Sequence, residues 1–343
     1  MILIDAAYIN ESGGLVLLEE IIKEFAKLKK IKIYLLLDNR ISKSFINKLN
    51  IDFTLIYSSE KNRKKFYLKN SIRFNKIFCF SNVPPPIKTN VETFILFHNK
   101  LIISNFIDLK LFSFKSKFLY FIKKKYILFK NKSHYKWIVQ TQSMKKKLSL
   151  NLFINEKKIF VMPFYKEFLN NEKTSHLKKK NLFTYIADGG LNKNHNNLLD
   201  AWLLLHNEYS VSPKLLLTVS DKYPKLLSKI DNLKKMGINI YNHGLCNRNE
   251  INSIYQNSEF LIYPSFIESF GLPLVEANHF NCKIISSDLD YVHDIIEPSL
   301  VFDPSSVISI SKTVYLALQD SNIPKTKILI KSKTNKLLKL FYE

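Results

Sequence analysis

The sequence predicts an α/β fold in two domains, each built on a parallel sheet. Three observations carry this. The chain has 343 residues, 46% of them hydrophobic, enough for two cores of roughly 150–170 residues each. Short apolar runs of strand length alternate with helical stretches along the chain. A strand, a glycine loop and a helix follow one another at the start and again after residue 181, a doubly wound opening unit used twice. The expected boundaries are a first domain over 1–163, a polar linker over 164–181, a second domain over 182–324, and a basic helix over 325–343 that crosses back to the first domain.

Composition narrows the classes. Cys79, Cys246 and Cys282 are scattered without CxxC spacing and read as reduced thiols of a cytoplasmic protein, not as metal ligands. The opening MILIDAAYIN carries no basic leader, and no apolar run reaches the roughly 18 residues of a spanning helix. Neither export nor embedding in a bilayer by a standard route is expected. The formal net charge of +23 is uneven. Residues 1–163 hold 31 Lys+Arg against 11 Asp+Glu, whereas residues 164–343 hold 21 against 18. That asymmetry points to an anionic partner facing the first half.

In chain order, Met1–Tyr8 is the first strand. Gly13 and Gly14 make the loop before the amphipathic helix LVLLEEIIKEFAKL. Strands follow at 31–37 and 51–57, with a helix over 41–49 between them. Residues 61–76 are basic with interleaved aromatics and read as a solvated helix face. The strand at 77–80 leads into Ser81 and Asn82, and Pro84, Pro85 and Pro86 then force an extended loop. His98 ends the strand at 91–97. Open α/β sheets bind ligands at the carboxyl ends of their strands. His98 and Asn82 are therefore candidates for hydroxyl contacts, with a structural role the alternative.

Residues 101–136 hold nine lysines, one acid and nine Phe or Tyr residues. Bulky apolar side chains mixed with ammonium groups suit a helix lying on an anionic bilayer. The alternatives are a core helix with solvated lysines and a face for single-stranded nucleic acid. Only four arginines occur in the chain, which argues against specific nucleic-acid binding. Strands at 137–141 and 159–163 flank a helix at 144–150.

The second half restarts with a strand at 182–187, then Asp188-Gly189-Gly190-Leu191-Asn192-Lys193, then a helix over 197–206. Lys193, just before a helix N-terminus, can neutralise a diphosphate. Strands at 214–220 and 238–241 and helices at 223–236 and 250–256 follow, with a loop at 242–246. The remaining elements are a strand at 283–286 and helices at 305–319 and 325–342.

The sharpest signal is PSFIESFGLPLVEA, Pro264–Ala277, after the apolar run Phe260–Tyr263. Gly271 permits a tight turn, and Pro273 suits the start of a helix. Glu268 therefore sits in the turn and Glu276 about one turn into the helix. The amides of Ser269, Phe270, Gly271 and Leu272 lie at that helix's N-terminus, where the dipole favours an anion. Two carboxylates for sugar hydroxyls beside a phosphate cradle fit a nucleotide sugar.

Two glutamates with seven residues between them, wrapped around SFGLP, resemble the signature of retaining GT-B glycosyltransferases of the bacterial lipopolysaccharide and capsule type. The resemblance is sharp over 182–297 and topological over 1–163. It implies GT-B architecture, with two Rossmann-like domains facing across a cleft. It implies transfer of a hexose-type sugar to a growing glycan, lipid-linked, with retained anomeric configuration and no metal or other cofactor. Gly13 and Gly14 would line the cleft near the donor diphosphate, Lys193 would hold the phosphates, and backbone near Leu245 would meet the nucleobase. Glu268 would orient the sugar, Glu276 would take the ribose diol, and His98 would contact a hydroxyl. Asp188 stands where the family commonly has a phosphate-binding arginine. The localisation implied is cytoplasmic, peripheral on the cytoplasmic face of the inner membrane. The other functions considered are an epimerase or phosphorylase on the same fold, and a non-catalytic membrane or nucleic-acid adaptor.

Overall fold

In a computed structural model of the chain, the described residues are 1–28, 31–105, 110–166 and 177–342. Two compact units emerge: Met1–Glu167 with Lys331–Glu343, and Phe168–Ile330. The linker expected over 164–181 falls mostly on 167–176, outside the described residues.

The first unit runs β1 (Ile2–Ala6), α1 (Ser12–Ala26), β2 (Ile33–Asp38), α2 (Lys43–Ile46), β3 (Phe53–Ile56), α3 (Glu60–Asn70), β4 (Lys76–Cys79), β5 (Glu92–Leu96), α4 (Phe114–Lys130), β6 (Lys136–Val139), α5 (Gln142–Leu152) and β7 (Ile159–Val161). Its strands make one parallel sheet in the order β3-β2-β1-β4-β5-β6-β7. The chain winds outward from β1, returns to the centre at β4 and winds outward the other way. This reversal opens a crevice between the loops after β1 and β4, where sheets of this kind take ligands.

Strand β1 is buried along its whole length, Asp5 included. A buried carboxylate needs a partner, and Arg63 of α3, itself fully buried, supplies it at 2.7 Å. Tyr67 donates a second bond to the same oxygen at 2.6 Å. Arg63 also donates to the carbonyls of Val83 and Pro84, so it pins the proline loop after β4. The basic run over 61–76 is thus not simply a solvated face: Arg63, Phe66 and Tyr67 point inward. Glu60 then accepts from Tyr8, just after β1, and from Tyr126 of α4.

The second unit runs β8 (Lys179–Tyr185), α6 (His195–Tyr209), β9 (Lys214–Leu217), α7 (Pro224–Lys235), β10 (Ile240–Asn242), α8 (Arg248–Asn257), β11 (Ser258–Tyr263), α9 (Leu272–His279), β12 (Lys283–Ser287), α10 (Asp290–His293), β13 (Ile296–Glu297), β14 (Leu300–Phe302), α11 (Val307–Gln319) and β15 (Lys327–Ile328). The main sheet is again parallel, ordered β10-β9-β8-β11-β12-β14. Its winding reverses between β8 and β11. Strands buried on both faces read as unbroken apolar runs, which is why FLIY stood out.

The C-terminal helix α12 (Thr334–Tyr342) belongs to the first unit. Phe341 packs against Phe25, Phe78 and Phe94 with ring centroids 4.9–5.4 Å apart. The helix expected from residue 325 begins nine residues later. In KTKILI the β-branched residues Thr326, Ile328 and Ile330 fall at every second position, a strand period, and β15 pairs antiparallel with β13.

Replacing one member of a buried pair leaves the other charge stranded. We expect Arg63→Met to cost about 3–5 kcal/mol of stability, read as a lower urea midpoint. An unchanged midpoint would show that Asp5 is satisfied without it.

Candidate active site

The loops after β8 and β11 meet at the second sheet's reversal. Asn194 adopts a left-handed backbone (φ 60°) between Lys193 and α6, a conformation asparagine tolerates. Its side-chain amide donates to the carbonyls of Pro264, at 3.1 Å, and Pro304, at 2.7 Å. Phe266 N–H donates to Asn192 O at 2.8 Å, and the Asn192 side chain returns a bond to Ile267 O at 3.0 Å. These cross-links seat Lys193 Nζ 2.6 Å from Glu268 Oε1. The lysine side chain is 26% exposed and the glutamate 12%, so the pair faces solvent only partly.

Three buried tyrosines underlie this pair. Burial, and after it the nearby Glu268 carboxylate, push the hydroxyls of Tyr185, Tyr263 and Tyr291 well above the usual tyrosine range. They stay neutral and act as donors. Tyr185 bonds to Lys193 O and Tyr291 to Ser265 O.

Gly271 caps α9 with φ 90°, where a side chain would be strained. A Cβ there would also press on Leu274 at 3.1 Å. Leu272 opens the helix and Pro273 is its second residue, one position later than the sequence suggested. Among the described residues no side chain caps the helix. The Phe270 side chain is buried.

Glu276, one turn into α9, is 7% exposed. Arg248, the first residue of α8, donates to its Oε1 at 2.7 Å. Tyr255 of the same helix donates to Oε2 at 3.3 Å. A capping box between Asn247 and Glu250 fixes where α8 starts. Leu245 stands in the loop just before, 71% exposed. Asp188, in the position of the missing arginine, accepts from Gly189 N–H and from Ser220 N–H and Oγ. Its carboxylate ties the β8 and β9 loops and offers no cation for a phosphate. A Cβ on Gly189 would lie 2.5 Å from the Tyr223 ring, so the chain passes there only as glycine.

In the first unit, the reversal between β1 and β4 gathers a separate group. Gly13 and Gly14 lie inside the first turn of α1, not in a loop before it. A Cβ on Gly14 would come 3.8 Å from His98 Nε2. Asn82, with φ 67°, accepts from His98 N–H at 2.6 Å and places its amide 3.4 Å from Nε2. His98 Nδ1 is buried with no hydrogen-bond partner among the described residues. Burial lowers the imidazole to about 4, so it is neutral at pH 7.

The profile for glycosyl transferases group 1 matches residues 166–336, the span that contains both glutamates and Lys193. The chain belongs to the group 1 glycosyl transferases. Relatives of this transferase include an O-antigen chain mannosyltransferase of Escherichia coli, 33% identical over 20% of this chain and 18% of that one. A capsular polysaccharide biosynthesis glycosyltransferase of Staphylococcus aureus is 28% identical over 41% of this chain and 39% of its own. The matches thus span well under half of either curated relative. An Anabaena protein crystallised with UDP-glucose superposes with a TM-score of 0.69, covering 93% of this chain and 90% of that one at 12% identity. It shares the GT-B fold, two parallel-sheet Rossmann-like domains.

The structure pairs Lys193 with Glu268 and buries Glu276; the sequence alone does not show what holds them. In the sequence Arg248 is one of four arginines, and its place at the start of a helix with a capping box is the available signal. Tyr255 and Asn194 gave none.

The His98 shift is testable. Its folded value lies below the unfolded 6.5, so stability falls as the pH drops from about 6.5 to about 4 and levels off below. A ring-proton NMR titration should show His98 still neutral at pH 5. A midpoint near 6.5 would mean the ring is solvated.

Proposed function

We propose that this group 1 glycosyl transferase moves a hexose-type sugar from a nucleotide sugar to a lipid-linked glycan acceptor in cell-surface polysaccharide or lipopolysaccharide synthesis. The observation that carries it is the Lys193–Glu268 pair at the β8/β11 reversal, eight residues from the buried Glu276. The names of the relatives, O-antigen mannosyltransferase and capsule glycosyltransferase, support the same class.

Lys193 and Glu268 neutralise each other. A donor divides them: its diphosphate takes the ammonium and its sugar hydroxyls take the carboxylate. The amides at 269–272 face the same phosphates, favoured by the α9 dipole. Glu276 accepts the ribose diol, and backbone near Leu245 meets the base. The C1–O bond to the diphosphate breaks with oxocarbenium character, so charge on the departing oxygen is what must be stabilised. The acceptor oxygen bonds C1 on the same face, and the departing phosphate oxygen takes its proton. His98 serves a hydroxyl from the first domain, near Gly13 and Gly14. This reading assigns the neutralising work to Lys193 and amides and calls for no metal or other cofactor.

Helix α4 supports a membrane partner on the first domain. Phe114, Phe118, Phe121, Ile122 and Phe129 fall at helical steps on one exposed stripe. Ile127, the helix's buried residue, lies on the opposite side. Lys115, Lys117 and Lys125 lie on or beside the stripe, whereas Lys124 and Lys130 donate to Asn151 and to Pro86 O. Aromatics in the headgroup zone with ammonium groups on lipid phosphates would seat the protein peripherally on the cytoplasmic face. No helix among the described residues is long and apolar enough to cross a membrane. Residues 106–109 of the stretch 101–136 lie outside the described residues.

UDP-, GDP- and ADP-sugars should be screened for thermal stabilisation, which reports binding to the folded state. One of them should raise Tm, Glu276→Ala should lose most of that shift, and an added acceptor should release nucleoside diphosphate. No shift with any donor would defeat the proposal. Separately, the wild type should bind phosphatidylglycerol vesicles and not phosphatidylcholine vesicles, and F118S/F121S/K125Q should abolish this. Unchanged binding would remove the membrane partner and leave the donor site standing.

A further inference from the structure

Glu276 does not stand alone. An ionised carboxylate offers about four lone-pair positions, two on each oxygen. Arg248 uses one on Oε1 and Tyr255 one on Oε2. One acceptor position per oxygen then remains, which matches the two hydroxyls of a vicinal diol. Arg248 and Tyr255 are seven residues apart on α8, two turns along one face. A single rigid helix therefore grips both oxygens and sets the plane of the carboxylate. The capping box at Asn247 and Glu250 fixes the first residue of that helix, and hence the point from which the guanidinium reaches. Tyr255 is fully buried and stacks with Phe280 at 6.0 Å, so its hydroxyl has little freedom. The Arg248 side chain is 33% exposed, and the loop carrying Leu245 leads straight into it.

We propose that Arg248 is a positioning residue that makes Glu276 a reader of the intact ribose diol, so that the transferase discriminates ribonucleotide from 2′-deoxyribonucleotide donors through this pair. The inference rests on the nucleotide-sugar reading above and deepens it. The physical reason is directional. A 7%-exposed carboxylate without its cation pays desolvation and turns toward whichever donor remains. Its remaining lone pairs then no longer face the two hydroxyls together. Lysine would restore the charge but not the planar fork that sets the angle.

The test measures Kd by calorimetry for UDP, GDP and ADP and their 2′-deoxy counterparts. The proteins are the full-length wild type, R248K, R248M, E276Q, Y255F and R248M/E276Q. The wild type should favour the ribonucleotide it binds by about tenfold, the usual scale for a hydrogen bond to a charged group. R248M should weaken ribonucleotide binding about tenfold and leave 2′-deoxyribonucleotide binding nearly unchanged, which erases the preference. R248K should fall between. The double variant should be no weaker than E276Q, because Arg248 acts through Glu276. Y255F, which removes the other bond, should reduce the preference as well and gives an independent reading if R248M fails to fold. Retained preference in R248M and Y255F, or losses that add in the double variant, would overturn the positioning role while leaving the donor site in place. A wild type that binds none of the three ribonucleotides would overturn the nucleotide-sugar reading itself, and this inference with it.

Discussion

The second domain's site depends on one asparagine in an unusual backbone conformation. Asn194 turns left-handed at the end of the β8 loop and spends its side-chain amide on two proline carbonyls from other loops. A buried amide bonded at both hydrogens cannot shift without breaking bonds in a place where water does not replace them. Lys193 is its neighbour in the chain, so the lysine inherits that rigidity. The ammonium reaches Glu268 because the two loops are laced together, not because the opposite charges found each other from a distance. Partly exposed ion pairs are too weak to order loops by themselves. The order of causes runs from backbone to side chain to charge.

Both domains follow the same plan, a parallel sheet whose winding reverses near its centre. This much was legible from residue order. Parallel strands covered on both faces must be apolar throughout, and runs such as IYLLL and FLIY leave little room for another reading. The PSFIESFGLPLVEA stretch was legible for a different reason: a glycine with positive φ and a helix-opening proline restrict the backbone enough that the flanking glutamates can be placed. What was not legible is contact across sequence. Arg63 lies 58 residues from Asp5 within a lysine-rich run, and nothing local separates a buried arginine from its solvated neighbours. Arg248 lies 28 residues from Glu276, with the same difficulty. The misplaced start of the last helix had a local cause: Thr326, Ile328 and Ile330 fall at every second residue, a strand period inside a lysine-rich run.

Asp188 illustrates how a departure from a family pattern can be absorbed. Where a cation is common, this chain has a carboxylate that accepts three hydrogen bonds from Gly189 and Ser220. It buttresses the glycine loop on which Lys193 depends. The loop that presents Lys193 carries one cation fewer than the family pattern and is tied down by those three bonds.

The path of the chain has a consequence for biosynthesis. Phe341 wedges among Phe25, Phe78 and Phe94, yet it emerges from the ribosome after the whole second unit. Until then those three rings have no lid, and an incomplete first unit displays an oily floor to its surroundings. The second unit, by contrast, has every one of its strands in hand by residue 328 and can close first. The order of translation and the order of completion are therefore reversed, and chaperone capture of nascent chains would concentrate on the half that was made earliest.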